Sequence, residues 1–203
     1  MLTYRTVATE VVSELVIKKS RFITHVKPVP DEAAAAEFIR QVSKTHWQAT
    51  HNVPAYRITE NIEKCSDDGE PSGTAGRPVL SVIKGENLYY TAVVVTRYFG
   101  GIMLGAGGLV RAYSQAAAQG INEAGIVTRV LSQRLQVQFA MPLFGIIKKV
   151  IEQSGAKILE VAVTDKAVIV ARLPVPEVEG LVAKLVEVSA GQAVVENLEQ
   201  EYV

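Results

Sequence analysis

The chain has 203 residues, 21 basic and 21 acidic side chains and a formal net charge of zero. Hydrophobic residues make up 48% of it, which is typical of a folded globular protein and excludes a disordered one. No apolar run approaches the roughly 20 residues that a membrane-spanning helix needs, and no signal peptide is recognisable. Cys65 is the only cysteine, which excludes an internal disulfide. We therefore expect a cytoplasmic protein with no membrane partner.

The first 128 residues predict a unit of mixed strands and helices. β-branched and aromatic residues between 4 and 29 predict strands on either side of a basic turn, Lys18 to Arg21. Asp31 is a candidate N-cap for a helix that ends near Thr45. In the polar connection that follows, we expect His46 on the surface and His51 in a cleft. The remaining predicted elements are strands over 53–58 and 88–98 and helices over 75–85 and 109–124.

Residues 129–203 follow a more regular pattern. Strands are predicted over 130–140, 157–164, 167–173 and 193–201, and helices over 142–154 and 176–189. This βαββαβ order is typical of the ferredoxin-like fold. The segment contains no histidine, cysteine or paired acids placed for chemistry, so we interpret it as a binding or packing module. The fold class is α+β, with the domain boundary predicted between residues 128 and 129.

Three acidic side chains, Asp67, Asp68 and Glu70, lie within four residues. Carboxylate oxygens at this density can hold a divalent cation, although the spacing is not that of a calcium loop. The same acids can instead stabilise a helix N-terminus or pair with arginine in a structural loop. The sequence leaves both interpretations open.

A glycine-rich segment lies between a predicted strand and a predicted helix. Its glycines are Gly100, Gly101, Gly105, Gly107 and Gly108. It lacks the lysine of a Walker A loop and the last glycine of a dinucleotide fingerprint. Backbone N–H groups of such a loop can bind an anion, with Arg97 and Arg111 adding charge. Alternatively, the glycines let the loop pack tightly under the acidic segment.

Four segments of the first domain carry a resemblance to a known family. They are residues 18–23, 51–52, 66–78 and 97–113. In these segments the chain resembles the IMPACT family, and closely its bacterial YigZ-like branch. It departs from the family pattern at Val53-Pro54, where the family usually has cysteine followed by another residue. This departure removes any case for an essential thiol at that position.

The resemblance implies an N-terminal domain of the ribosomal-protein-S5-domain-2-like βα type. It also implies that the ferredoxin-like domain is similar to the last domain of elongation factor G. In that factor the same two fold types occur in tandem where it meets ribosomal RNA. Eukaryotic members of the family regulate translation, so the family implies a role for this chain in translation more clearly than it implies a reaction.

The leading hypothesis is a non-enzymatic RNA- or ribosome-associated protein that needs no cofactor and modulates translation or its stress response. The residues expected to contact phosphate are Lys18, Lys19, Arg21, Arg77, Arg97, Gly100, Gly101, Gly105, Gly107, Gly108 and Arg111. A cleft is expected to gather the family-motif residues His51, Asp67, Asp68, Gly69, Glu70, Gly73, Thr74, Gly76 and Tyr98. The alternative is a magnesium-dependent enzyme acting on a nucleotide or another phosphorylated small molecule, with Asp67, Asp68 and Glu70 as metal ligands.

Overall fold

A computed structural model describes all 203 residues and divides them into two compact units. The first unit comprises residues 4–128, and the second comprises residues 129–203 together with residues 1–3. The predicted domain boundary places residues 1–3 in the N-terminal domain. In the structure they go with the second unit because the backbone of Leu2 accepts a hydrogen bond from Leu131 N at 2.8 Å.

The elements up to residue 124 are six strands and three helices. The strands are β1 Thr3–Val7, β2 Val11–Ile17, β3 Ser20–Pro28, β4 His51–Arg57, β5 Glu63–Cys65 and β6 Thr91–Tyr98. The helices are α1 Glu32–Thr45, α2 Gly76–Gly85 and α3 Ala106–Ala124. Asp31 caps α1 as predicted, since its Oδ1 accepts from Ala34 N at 2.8 Å.

The sheet of the first unit has the order β2-β3-β6-β4-β5, and its neighbouring strands are antiparallel. The central strand β6 is buried on both faces, as its near-continuous apolar sequence predicts. One face packs against α2 and α3 around Val93 and Val95, and the other packs against α1 around Ala92 and Val94.

The strand register places three connections at one end of this sheet. Arg21 of β3 lies opposite Tyr98 of β6, and His51 of β4 lies opposite Arg97. The turn before β3, the connection before β4 and the loop after β6 therefore lie together. This end of the sheet carries most of the predicted site residues.

The second unit has the predicted βαββαβ order. Its elements are β7 Ile126–Phe139, α4 Phe144–Gln153, β8 Lys157–Val163, β9 Ala167–Pro174, α5 Val178–Val188 and β10 Val194–Tyr202. Strand β7 pairs antiparallel with both β10 and β9, and β9 pairs antiparallel with β8. Each helix is preceded by a 3-10 turn that contains a proline, at 141–143 and 175–177. The fold prediction is confirmed: an S5-domain-2-like βα unit is followed by a ferredoxin-like unit.

Several element boundaries differ from the sequence prediction, and those of β6 and β7 differ by three and four residues. The central strand begins at Thr91 and not at Leu88, because Asn87 and Tyr90 have φ values of 53° and 50° that interrupt an extended backbone. Strand β7 begins at Ile126, four residues earlier than expected, directly after Gly125 ends α3. None of the helices is long and apolar enough to cross a membrane.

Candidate functional site

Asp67 organises the acidic segment by capping α2. Its Oδ1 accepts from Ala75 N at 3.1 Å and Gly76 N at 2.8 Å, and its Oδ2 accepts from Gly73 N at 2.8 Å. Partial burial acts to raise the pKa of Asp67, but the three backbone donors outweigh it, so the pKa is lowered below its ordinary value. Of the open interpretations for this carboxylate, the structure favours the helix N-terminus.

Two more motif residues keep the acidic loop compact. Gly76 must be glycine because a Cβ there would lie 2.5 Å from the backbone oxygen of Ser66. Thr74 is buried, and its hydroxyl donates to the Pro71 carbonyl at 2.7 Å. Both residues therefore support the loop and do not face a ligand.

Asp68 and Gly69 position His51 at the start of β4. The Oδ2 atom of Asp68 accepts from Asn52 N at 2.6 Å, and the Asp68 carbonyl oxygen lies 2.7 Å from His51 Nδ1. Gly69 has a φ of 84°, and a Cβ there would lie 3.4 Å from His51 Nδ1. Because a carbonyl oxygen can only accept, Nδ1 must carry the proton. The side chain of His51 lines a cleft.

Glu70 is a buried carboxylate held by two donors. Its Oε1 accepts from Arg97 Nη1 at 2.7 Å and from the Tyr113 hydroxyl at 2.8 Å. The side chains of Glu70 and Arg97 are only 3% and 6% exposed, so this ion pair is almost fully desolvated. Burial, followed by the hydrogen bond to Glu70, raises the pKa of Tyr113 well above its ordinary value. Glu70 therefore pairs with arginine inside a structural network.

Arg97 does not stand free for phosphate, because its guanidinium already compensates Glu70. Its Nη2 also donates to Ser20 Oγ at 3.3 Å, and the same oxygen accepts from Gly100 N at 3.2 Å. Its Nε is buried without a partner. Ser20 and Tyr113 are site residues that sequence reasoning missed, although both lie within the family-motif segments.

The glycine-rich loop packs against the basic turn rather than against the acidic segment. A Cβ on Gly100 would lie 2.0 Å from the carbonyl carbon of Lys19, so only glycine fits. Gly101 and Gly105 have φ values of 82° and 72°, which also favour glycine. Gly105 is the N-cap residue of α3, and Gly107 and Gly108 lie in its first turn, which has no acidic residue and no side-chain cap.

A cleft of about 390 Å³ separates the acidic and glycine-rich loops. It is lined by His51, Gly69, Glu70, Pro71, Arg97, Phe99, Met103, Leu104, Gly105, Ala106 and Leu109. The cleft has a polar wall from β4, β6 and the acidic loop and an apolar wall from the residues after β6. Its size is within the range of small-molecule sites.

The three acids do not converge on a metal position. Asp67 faces backbone N–H groups, Asp68 binds Asn52 N, and Glu70 pairs with Arg97. No group of three His, Cys, Asp or Glu side chains that could hold a metal ion is present. The alternative in which Asp67, Asp68 and Glu70 together hold magnesium is therefore not favoured, because each carboxylate is already bound to a different partner.

The basic residues expected to contact phosphate do not form one continuous patch. Lys18 and Lys19 form the exposed two-residue turn between β2 and β3, and Lys18 lines a small cavity of about 200 Å³ with Arg111 of α3. These three side chains take part in no ion pair. Arg21 is paired with Glu14 at 2.8 Å, and Arg77, exposed in the first turn of α2, acts electrostatically on Asp67.

A histidine pair beside β6 corrects the prediction that His46 is only a surface residue. Its Nε2 lies 2.9 Å from His25 Nε2, and its Nδ1 lies 3.0 Å from the Tyr98 hydroxyl. The Arg21 guanidinium lies 5.7 Å from the centre of the Tyr98 ring. Tyr98 therefore belongs to this network and does not line the cleft. The helix end at Thr45 places His46 directly over the sheet, which periodicity alone did not indicate.

Family comparisons agree with this architecture. Residues 18–121 match the Impact N-terminal domain, and residues 137–192 match a domain of unknown function. The chain is thus a two-domain protein with an Impact-type N-terminal unit. It belongs to the IMPACT family.

Individual relatives cover bacteria and animals. The chain is 49% identical over 150 residues to IMPACT family member YvyE of Bacillus subtilis, covering 73% of this chain and 69% of that protein. It is 32% identical over 179 residues to YigZ of Escherichia coli, covering 86% and 88%. Human Protein IMPACT is 35% identical over 95 residues, which are 43% of this chain and 29% of that protein. A solved structure titled as an hypothetical protein matches with a TM-score of 0.64 and 30% identity, covering 99% of this chain and 100% of that one.

Proposed function

We propose that this is a cytoplasmic, non-catalytic protein that associates with RNA or the ribosome and modulates translation or its stress response. The main support for the proposal is the composition of the surface at one end of the sheet of the first unit. There Lys18, Lys19 and Arg111 carry charge without an acidic partner, next to exposed apolar side chains of the loop after β6. Surfaces that bind single-stranded nucleic acid usually combine two features. Basic side chains lie along the phosphate backbone, and neighbouring apolar or aromatic side chains stack on the bases.

The loop after β6 exposes three large apolar side chains at this surface. Phe99, Ile102 and Met103 are 48%, 41% and 84% exposed. The Phe99 ring lies 5.4 Å from the Arg97 guanidinium carbon, which orients the ring beside the cleft. An exposed aromatic ring held in place by a buried cation is suited to stacking on a nucleobase.

The backbone of the basic turn supports the same interpretation. Lys18 and Lys19 have φ values of 45° and 67°, a conformation that a two-residue hairpin turn normally gives to Asn-Gly. Lysine is strained there, and strain of this kind concentrates at functional positions. Two adjacent lysines at the turn are therefore better explained by a binding role than by hairpin stability.

The test is filter binding of single-stranded RNA and co-sedimentation with ribosomes across a salt series. We expect log K to fall linearly with log salt concentration, with a slope of about −0.7 for each phosphate contact. Absence of RNA binding at low salt, together with absence of ribosome association, would overturn the proposal.

A double variant, Lys18→Asn with Lys19→Gly, isolates the turn. It removes two cations while giving the hairpin the residues that its backbone favours, so lost binding cannot be attributed to unfolding. The salt slope should become shallower by about 1.4. The matched control removes two exposed lysines of α4 by Lys148→Asn with Lys149→Asn, and it should leave the slope unchanged.

A further inference from the structure

The cleft wall presents a carboxylate oxygen without a hydrogen-bond donor. Glu70 Oε1 is saturated by Arg97 and Tyr113, whereas Oε2 makes no hydrogen bond. His51 Nε2 lies 3.7 Å from Oε2, which is beyond hydrogen-bond distance. An acceptor that faces a cleft is available to a donor of a bound ligand.

His51 supplies a second acceptor beside the first. Its Nδ1 donates to the Asp68 carbonyl at 2.7 Å, so in the neutral imidazole the lone pair is on Nε2. In that form Nε2 and Glu70 Oε2 are both acceptors and lie 3.7 Å apart. The wall then offers two neighbouring acceptors to a ligand that carries two adjacent N–H donors.

Among the four RNA bases, guanine alone has two adjacent donors on its Watson–Crick edge, N1–H and the 2-amino group. Adenine and cytosine offer a donor next to an acceptor, and uracil offers one donor between two acceptors. Single-stranded RNA is read by hydrogen bonds to such edges and by stacking of the unpaired base. Phe99, Met103, Leu104 and Leu109 supply the apolar surface for the base.

We propose that this cleft binds the Watson–Crick edge of a guanine base, with Glu70 Oε2 and His51 Nε2 as the two acceptors. The inference rests on the proposed function and names the base that the RNA places in the site. A guanidinium ligand also has adjacent donors, but it brings a positive charge. Arg97 already neutralises Glu70 at 2.7 Å, so a neutral edge fits the cleft better than a second cation.

Fluorescence anisotropy with uridine-rich RNA oligonucleotides tests the proposal on the full chain. One oligonucleotide carries a single central guanosine, and two others replace it with inosine or adenosine. Inosine lacks only the 2-amino group, so we expect its oligonucleotide to bind about tenfold more weakly than the guanosine oligonucleotide. The adenosine oligonucleotide should bind at least as weakly as the inosine one.

His51→Leu removes one acceptor and should bring the guanosine and inosine affinities within about twofold of each other. The matched control is His25→Leu, at a histidine outside the cleft, which should retain the full preference. If His51→Leu does not fold, the wild-type comparison of guanosine with inosine still decides the matter.

The remaining outcomes are distinguishable. Equal binding of all three oligonucleotides overturns the guanine proposal and leaves the proposed RNA association standing, whereas no binding to any of them overturns both. Guanosine monophosphate, but not inosine monophosphate, could compete with the oligonucleotide and bind as tightly as it does. That result would support the guanine site and identify a free nucleotide as the source of the base. Competition by arginine but not by guanosine monophosphate overturns the proposal in favour of a peptide ligand.

Discussion

The two units bury different kinds of side chain. The first unit buries three charged residues, Arg57, Glu70 and Arg97, whereas the buried polar residues of the second unit, Ser132, Gln133 and Ser189, are uncharged. Desolvating an ion costs several kcal/mol, and a hydrophobic core of ordinary size does not require it. The first unit therefore retains buried charge beside its cleft at a cost in stability, and the second unit is stabilised by a conventional apolar core. This difference agrees with the proposed location of ligand recognition in the first unit.

Removing one member of the buried ion pair should have the largest effect on stability. Glu70→Ala leaves Arg97 buried and unpaired, so the free energy of unfolding should fall by about 3–5 kcal/mol. Its counterpart in the second unit is Glu201→Ala, which breaks a half-exposed pair with Arg172 at 3.0 Å and should cost no more than about 1 kcal/mol. Urea denaturation followed by far-ultraviolet circular dichroism reports both units, and the fluorescence of Trp47, the only tryptophan, reports the first unit alone. Similar costs for the two variants would contradict the contrast.

Asp67 should rank next, because one carboxylate serves three backbone donors at the start of α2. Asp67→Ala should destabilise the first unit by about 2 kcal/mol, near the upper limit for capping residues. Asp31→Ala removes the cap of α1, where one backbone donor is lost, and should cost about 1 kcal/mol. The urea concentrations at the unfolding midpoints of the two variants show whether losing three capping hydrogen bonds costs more stability than losing one.

The histidine pair should make the first unit sensitive to mild acid. Burial, then the neighbouring charge of His46, lowers the pKa of His25, and burial, then Arg21, lowers that of His46. The unfolded chain therefore takes up protons first as the pH falls below the ordinary histidine value of about 6.5. Stability should be constant above that pH and fall by at most about 1.4 kcal/mol per pH unit for each histidine.

Thermal unfolding at pH 7.5 and pH 5.5 checks this prediction. The double variant His25→Gln with His46→Gln should lose most of the difference between the two conditions. The second unit contains no histidine, so it should show no comparable dependence in this window. If the double variant shows the same difference in thermal stability between pH 7.5 and pH 5.5 as the unmodified protein, other groups cause the acid sensitivity.

The smallest effect is expected at the basic turn, and its sign is opposite. Lys18→Asn with Lys19→Gly relieves two strained backbone positions and should raise the stability of the first unit by about 1 kcal/mol. The same variant weakens the proposed RNA binding. Urea titration of the unliganded protein measures the stability of this variant. If the variant is less stable and also binds RNA more weakly, the two lysines have a structural role.

The sequence predicted the regular unit better than it predicted the cleft. Periodicity, prolines and terminal glycines located the elements of the ferredoxin-like unit because those signals are local. The partners of Glu70 are 27 and 43 residues away along the chain, so spacing could not identify Arg97 and Tyr113 as its donors. For the same reason the sequence left a metal site and a structural loop both open for the three acids, since their separate partners become visible only after folding.

Hydrogen–deuterium exchange of the full chain, with and without single-stranded RNA, tests the central claim most directly. We expect slower exchange on RNA binding in the turn at Lys18 and Lys19 and in the loop over residues 99–108. We expect no change in residues 129–203. Protection confined to the ferredoxin-like unit, or no protection anywhere at a saturating RNA concentration, would contradict the assignment of RNA recognition to the first unit.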